Sequence, residues 1–122
     1  MKPTKNIRKF LRELKKLDLP TEKYAVIGGG VLAIRGIREC EDLDLIVSQD
    51  FFKELSKKYS VENMTANKKV HLTDDIEAAA FPFGEKMDAE EIIRTADIFA
   101  GVRFEDLRET IELKKNGEEK RI

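Results

Sequence analysis

The chain of 122 residues fits a single domain, 1–122, with one hydrophobic core. Apolar residues (41%) barely exceed charged ones (39%), which predicts a modest core beneath a well-solvated surface. Lys and Arg (23) balance Asp and Glu (24), so no global field favours nucleic acid or an anionic membrane; a polyanionic ligand must be met locally.

The first predicted element is an amphipathic helix over residues 4–18. Ile7, Phe10, Leu11, Leu14 and Leu17 recur at spacings of three and four, with Lys and Arg opposite. Thr4 is placed to cap its start and Pro20 marks its end. The charged opening has no apolar stretch of the signal-peptide kind, and no apolar run approaches the ~18 residues that a membrane span needs. The expectation is a soluble cytoplasmic protein. Cys40 is the only cysteine, which excludes an internal disulfide and a cysteine zinc cluster.

Tyr24 to Ile27 reads as a short strand that Gly28-Gly29-Gly30 turns into a short helix over 31–35, stopped by Gly36. Leu43 to Val47 is the second strand, and Ser48 caps a helix with Phe51, Phe52, Leu55 and Tyr59 on one face. Residues 68–73 and 76–81 flank Asp74-Asp75 and read as a hairpin. Asp88 and Glu91 form a capping pattern for a helix to about Ala96. Residues 97–104 read as a strand or hairpin turning at Ala100-Gly101. A last helix is expected from about Asp106 to Asn116-Gly117. This mixture predicts an α+β or mixed α/β layer fold.

The glycines admit three readings. Gly28-x-Gly30-x-x-Ala33 matches a dinucleotide fingerprint, with Asp50 at a suitable distance. Gly36 cuts the required helix short, however, and a buried parallel strand would be continuously apolar where this one carries two aspartates. A tight strand-to-helix turn without a ligand is the second reading, since glycine reaches positive φ freely.

The third reading brings in Asp42 and Asp44. Residues two apart on a strand share a face, which sets these carboxylates together while Leu43 and Leu45 face the core. At roughly 7 Å they repel by about 2 kcal/mol for an effective dielectric of about 20, unless hydrated or bridged by a cation. Oxygen-only ligands of this kind suit Mg²⁺, and the amides of Gly28, Gly29 and Gly30 suit phosphate.

Gly29-Gly30, eleven residues, then Asp42-Leu43-Asp44-Leu45 resembles the signature of the DNA polymerase β-like nucleotidyltransferase superfamily. The likeness is closer still to its small bacterial and archaeal members, including the toxin-related group, and extends loosely from Tyr24 to Lys120. The resemblance implies a nucleotidyltransferase fold: a small mixed sheet flanked by helices. It implies Mg²⁺ (or Mn²⁺) held by Asp42, Asp44 and a third carboxylate, for which Glu77 is the best match. It further implies a nucleoside triphosphate (NTP) whose phosphates meet Gly28–Gly30, with Arg38 and Lys114 within reach. Two metals would then drive transfer of a nucleoside monophosphate to an acceptor hydroxyl on a protein, an RNA end or a small molecule. Gly30 stands where many members carry Ser, and Cys40 where Thr or Ser is common.

Plainer readings stand beside these. Glu77 fits the outward position of an alternating strand, Asp74 and Asp75 fit a turn, and Lys114 fits a helix C-terminus. A register shift would make Asp75 the third carboxylate. His71, the sole histidine, reads as a surface or strand-packing residue. Glu39 and Glu41 should keep the Cys40 thiol protonated. The rival function is a non-catalytic nucleotide-binding or regulatory module, with a protein partner or a second copy, as in one half of a toxin–antitoxin-type pair.

Overall fold

A computed structural model describes residues 2–63, 68–80 and 88–111. Helix α1 (Lys5–Leu17) leads through a 3-10 turn (Thr21–Lys23) into β1 (Tyr24–Ile27), α2 (Gly29–Ile34), β2 (Leu43–Val47) and α3 (Gln49–Lys58). Next come β3 (Ser60–Asn63), β4 (Lys68–His71), β5 (Ile76–Ala79), α4 (Ala89–Thr95), β6 (Asp97–Phe99) and β7 (Val102–Phe104). Residues 107–111 are again helical. The result is a mixed α+β fold whose described strands form one sheet in the order β3-β4-β5-β2-β1-β7-β6. Strand β2 is antiparallel to β1 and parallel to β5, while β1 is parallel to β7.

Alternation along the central strands divides the core in two. Tyr24, Val26, Leu43, Leu45, Val47, Ile76 and Phe104 face one side, where Ile7, Phe10, Leu11 and Leu14 of α1, the α2 residues Val31, Ala33 and Ile34, and Phe51 and Leu55 of α3 complete the larger core. Ala25, Ile27 and Ile46 face the other side, against Ala89, Ile92 and Ile93 of α4. Both faces of β1 and β2 are therefore covered, except at the end where Asp44 replaces an apolar residue. No helix among the described residues is long and apolar enough to cross a membrane.

Most expected boundaries recur. The Ser48 hydroxyl accepts from the Phe51 amide at 3.2 Å, and the Asp88 carboxylate from the Glu91 amide at 3.1 Å. Strand β3 is a departure from expectation: the helical face ends at Tyr59, and residues 60–63 pair with β4. Its alternation is too short to announce a strand. The expected end of the last helix lies outside the described residues.

Thr4 does not cap α1 with its side chain. Glu39, distant in sequence, does so instead: its carboxylate accepts from the Asn6 amide at 3.1 Å and the Cys40 amide at 3.3 Å. The Thr4 hydroxyl lies beside it without a well-formed hydrogen bond, and with the amides of Asn6, Cys40 and Lys5 it outweighs a small desolvation cost, holding Glu39 below the usual carboxylate range. The Asn6 side chain also donates to the Cys40 carbonyl at 3.1 Å. Gly36, at φ +71°, passes so close to Lys2 that a Cβ there would collide with the Lys2 carbonyl oxygen. These contacts lash the loop that delivers Asp42 to the start of α1.

The β6–β7 hairpin turns through Ala100 (φ 54°) and Gly101 (φ 78°), the pattern of a type I′ turn. Alanine in that region is strained, so Ala100→Asn is expected to stabilise the protein by about 0.5–1 kcal/mol. Thermal denaturation checks this, and a lower melting temperature would contradict it.

Candidate functional site

The site is built where β1 ends and β2 and β5 begin. Asp44 is paired across the antiparallel ladder with Ile27 and across the parallel ladder with Glu77. Register partners on adjacent strands share a face, so Asp44 and Glu77 lie side by side on the α4 face of the sheet. Asp42 lies two residues before Asp44 at the mouth of β2, exposed where Asp44 is half-buried. The Leu43 amide donates to the Asp75 carbonyl at 2.8 Å, which pins the starts of β2 and β5 in this register.

Asp75 occupies a different place from Glu77. Its carboxylate faces Lys9 of α1 at 4.0 Å, on the opposite side of the sheet. Its amide and that of Ile76 donate to the Thr73 hydroxyl at 3.1 Å each, which makes it a turn residue. Glu77 is thus the carboxylate that the fold brings to Asp42 and Asp44.

Each glycine of the turn has its own duty. Gly28 (φ 66°, ψ −134°) adopts a backbone conformation that side chains resist, and a Cβ on it would stand 3.9 Å from Asp44 Oδ2. Gly28, itself buried, is therefore the glycine nearest the carboxylates. Gly29 faces Cys40, whose Cβ would lie 3.4 Å away, and Gly30 faces the core. Arg38 is exposed in the loop before β2 and makes no hydrogen bond or ion pair to the carboxylates among the described residues. Lys114 lies outside the described residues.

Two side chains that the sequence reading did not place here complete the cluster. Lys69 Nζ lies 3.2 Å from Glu77 Oε2, and His71 Nδ1 lies 3.5 Å from Glu77 Oε1. His71 is the cross-strand partner of Glu77, and Lys69 projects to the same side one step along. The alternation Lys69–Val70–His71 carried that signal, because Val70 is fully buried on the other face. Its meaning needed the β4–β5 register.

Electrostatics knit the group together. Desolvation by the neighbouring chain, exposed though Asp42 is, and then the Glu77 charge raise its pKa, with Lys69 opposing and Glu41 and Asp75 adding to the rise. Burial alone would lower Lys69. Its hydrogen bond to Glu77 and the charges of Glu77, Asp44 and Asp42 override that and raise it. Cys40 is pushed up to about 11 by burial first, then by Glu39, Asp42 and Asp44, so it stays a thiol. Burial outranks the flanking glutamates from which this was expected.

Asp42 carries a stability prediction with a definite sign. Its folded-state pKa lies above the unfolded value, so ionising it disfavours the fold as pH rises through that interval. Asp42→Asn should therefore stabilise the apo-protein at neutral pH by up to about 0.5 kcal/mol. The gain should fade below about pH 3.9, where the aspartate is protonated in both states. Urea unfolding at two pH values measures it; a destabilised variant at neutral pH would contradict it.

A groove of about 380 Å³ lies at the other end of β1 and β2, lined by Glu22, Lys23, Ser48, Glu90, Ile93 and Arg94. Its cations are engaged, Lys23 with Glu54 at 3.8 Å and Arg94 with Glu91 at 2.6 Å, and its serine caps α3. With those groups already engaged, the carboxylate face is the better candidate.

As it stands, no group of three or more His, Cys, Asp or Glu among the described residues is gathered closely enough to hold a metal ion. The donor chemistry nonetheless suits a hard cation: Asp44 and Glu77 are register partners on adjacent strands, Asp42 precedes β2 by one residue, and all three offer carboxylate oxygens. Compared with known protein families, curated proteins and solved structures, the chain gives no match.

Proposed function

We propose that this chain is an Mg²⁺-dependent nucleotidyltransferase that moves a nucleoside monophosphate from an NTP to an acceptor hydroxyl and releases pyrophosphate. The observation that carries this reading is the register of Asp44 beside Glu77, with Asp42 near enough to feel the Glu77 charge and Gly28 next to Asp44. On this reading the α+β sheet is a nucleotidyltransferase fold. Asp42 and Asp44 would hold Mg²⁺ or Mn²⁺, both of which favour oxygen ligands. Bound there, the ion supplies charge stabilisation at the attacking and leaving oxygens. Glu77 completes the ligand set or accepts the proton of the attacking hydroxyl. Of the three glycines, Gly28 would bring its backbone nearest to phosphates held at Asp44, as a residue with a side chain would not. Cytoplasm, where NTP and Mg²⁺ are abundant, is the fitting location.

The engagement of Glu77 by Lys69 favours a second reading. A carboxylate already neutralised suits a nucleotide-binding module without chemistry, acting with a partner chain as in a toxin–antitoxin-type pair. Pyrophosphate release separates the two. The purified chain, given Mg²⁺ or Mn²⁺ and each common NTP, is expected to release pyrophosphate and to stop when the metal is chelated. Nucleotide binding without metal-dependent release would favour the module.

A further inference from the structure

Each oxygen of Glu77 has a side-chain nitrogen beside it. Lys69 Nζ stands 3.2 Å from Oε2 and His71 Nδ1 stands 3.5 Å from Oε1. None of the three side chains is fully open to water: Lys69 is 30% exposed, His71 33% and Glu77 21%. The charges that draw the ammonium are those of Glu77, then Asp44, then Asp42. They are the same three carboxylates proposed to hold the cation. A divalent ion among them would compete with the ammonium for Glu77 and repel it. Lysine carries its charge on a flexible four-carbon stem, so it can leave one anion for another without the backbone moving. The anion that arrives with the cation is a polyphosphate.

We infer that Lys69 is the resident counter-ion of the carboxylate face, displaced from Glu77 when a divalent cation binds and then turned to the triphosphate that the cation carries. This inference rests on the metal-site reading of Asp42, Asp44 and Glu77. It makes Lys69 a substrate-positioning residue with opposite effects on two ligands. As a competitor it weakens binding of the bare ion; as a cation it strengthens binding of the ion–polyphosphate complex.

Lys69→Met tests both effects with probes independent of the base. Calorimetric titration with Mn²⁺ alone is expected to show binding about tenfold tighter than wild type. Titration with inorganic tripolyphosphate at saturating Mg²⁺ is expected to show binding about tenfold weaker. Lys69→Arg, which keeps the charge, should return both affinities towards wild type. Lys69→Gln should repeat both shifts, and it stands in if the Met variant does not fold. A purely structural ion pair would lower the melting temperature and leave both affinities unchanged, and that result would overturn the inference. Shifts of the same sign for the two ligands would overturn it as well. Failure of the wild type to bind Mn²⁺ would overturn the metal-site reading itself, and the role of Lys69 with it. Wild-type binding of Mn²⁺ that Lys69→Met leaves unaltered would overturn the counter-ion assignment alone.

Discussion

Asp44→Asn is expected to cut metal-dependent pyrophosphate release by about 10³-fold, the rate equivalent of several kcal/mol of lost charge stabilisation. The amide has nearly the shape of the carboxylate, so the β2 ladder to Ile27 and Glu77 should survive. Its oxygen is neutral, however, and holds Mg²⁺ poorly. Asp42→Asn should have the smaller effect on turnover, because Asp42 is exposed and Asp44 is the half-buried member beside Glu77. Pyrophosphate release by wild type and both variants, with circular dichroism to confirm folding, checks the order. Equal release by a folded Asp44→Asn variant would remove Asp44 from the chemistry and leave the register without its proposed use.

Gly30→Val is expected to destabilise the protein by about 2–3 kcal/mol through overpacking. A Cβ at this position would lie 2.6 Å from Val26 Cγ1 and 3.0 Å from Leu43 Cδ1. Both neighbours are fully buried on β1 and β2, so neither has space into which to retreat. At roughly 4 °C per kcal/mol, the melting temperature should fall by about 10 °C. Gly30→Ser should show a milder form of the same effect, since the clash begins at the Cβ. At Gly30, α2 lies close against the sheet. A Gly30→Val variant within about 0.5 kcal/mol of wild type would show that α2 can lift away.

Much of this fold is legible in the chain itself. Tyr24–Ile27 and Leu43–Val47 are strands where expected, and Ser48 and Asp88 cap their helices. The Ala100-Gly101 turn was also readable in advance. These features rest on interactions within a few residues: period-two alternation, a side chain reaching its own helix, a positive φ at a turn. Tertiary structure alone decided the rest. It chose Glu39 over Thr4 to satisfy the α1 amides and added β3 to the sheet edge. It gave the three glycines different neighbours, an aspartate, a cysteine and the core. Above all it set Asp44 opposite Glu77 and brought Lys69 and His71 to that carboxylate. A strand states which residues share a face, but a shift of one residue in pairing would have turned Glu77 to the far side. That register is settled by what the buried faces of β2, β4 and β5 pack against, and those contacts join segments that the sequence keeps far apart.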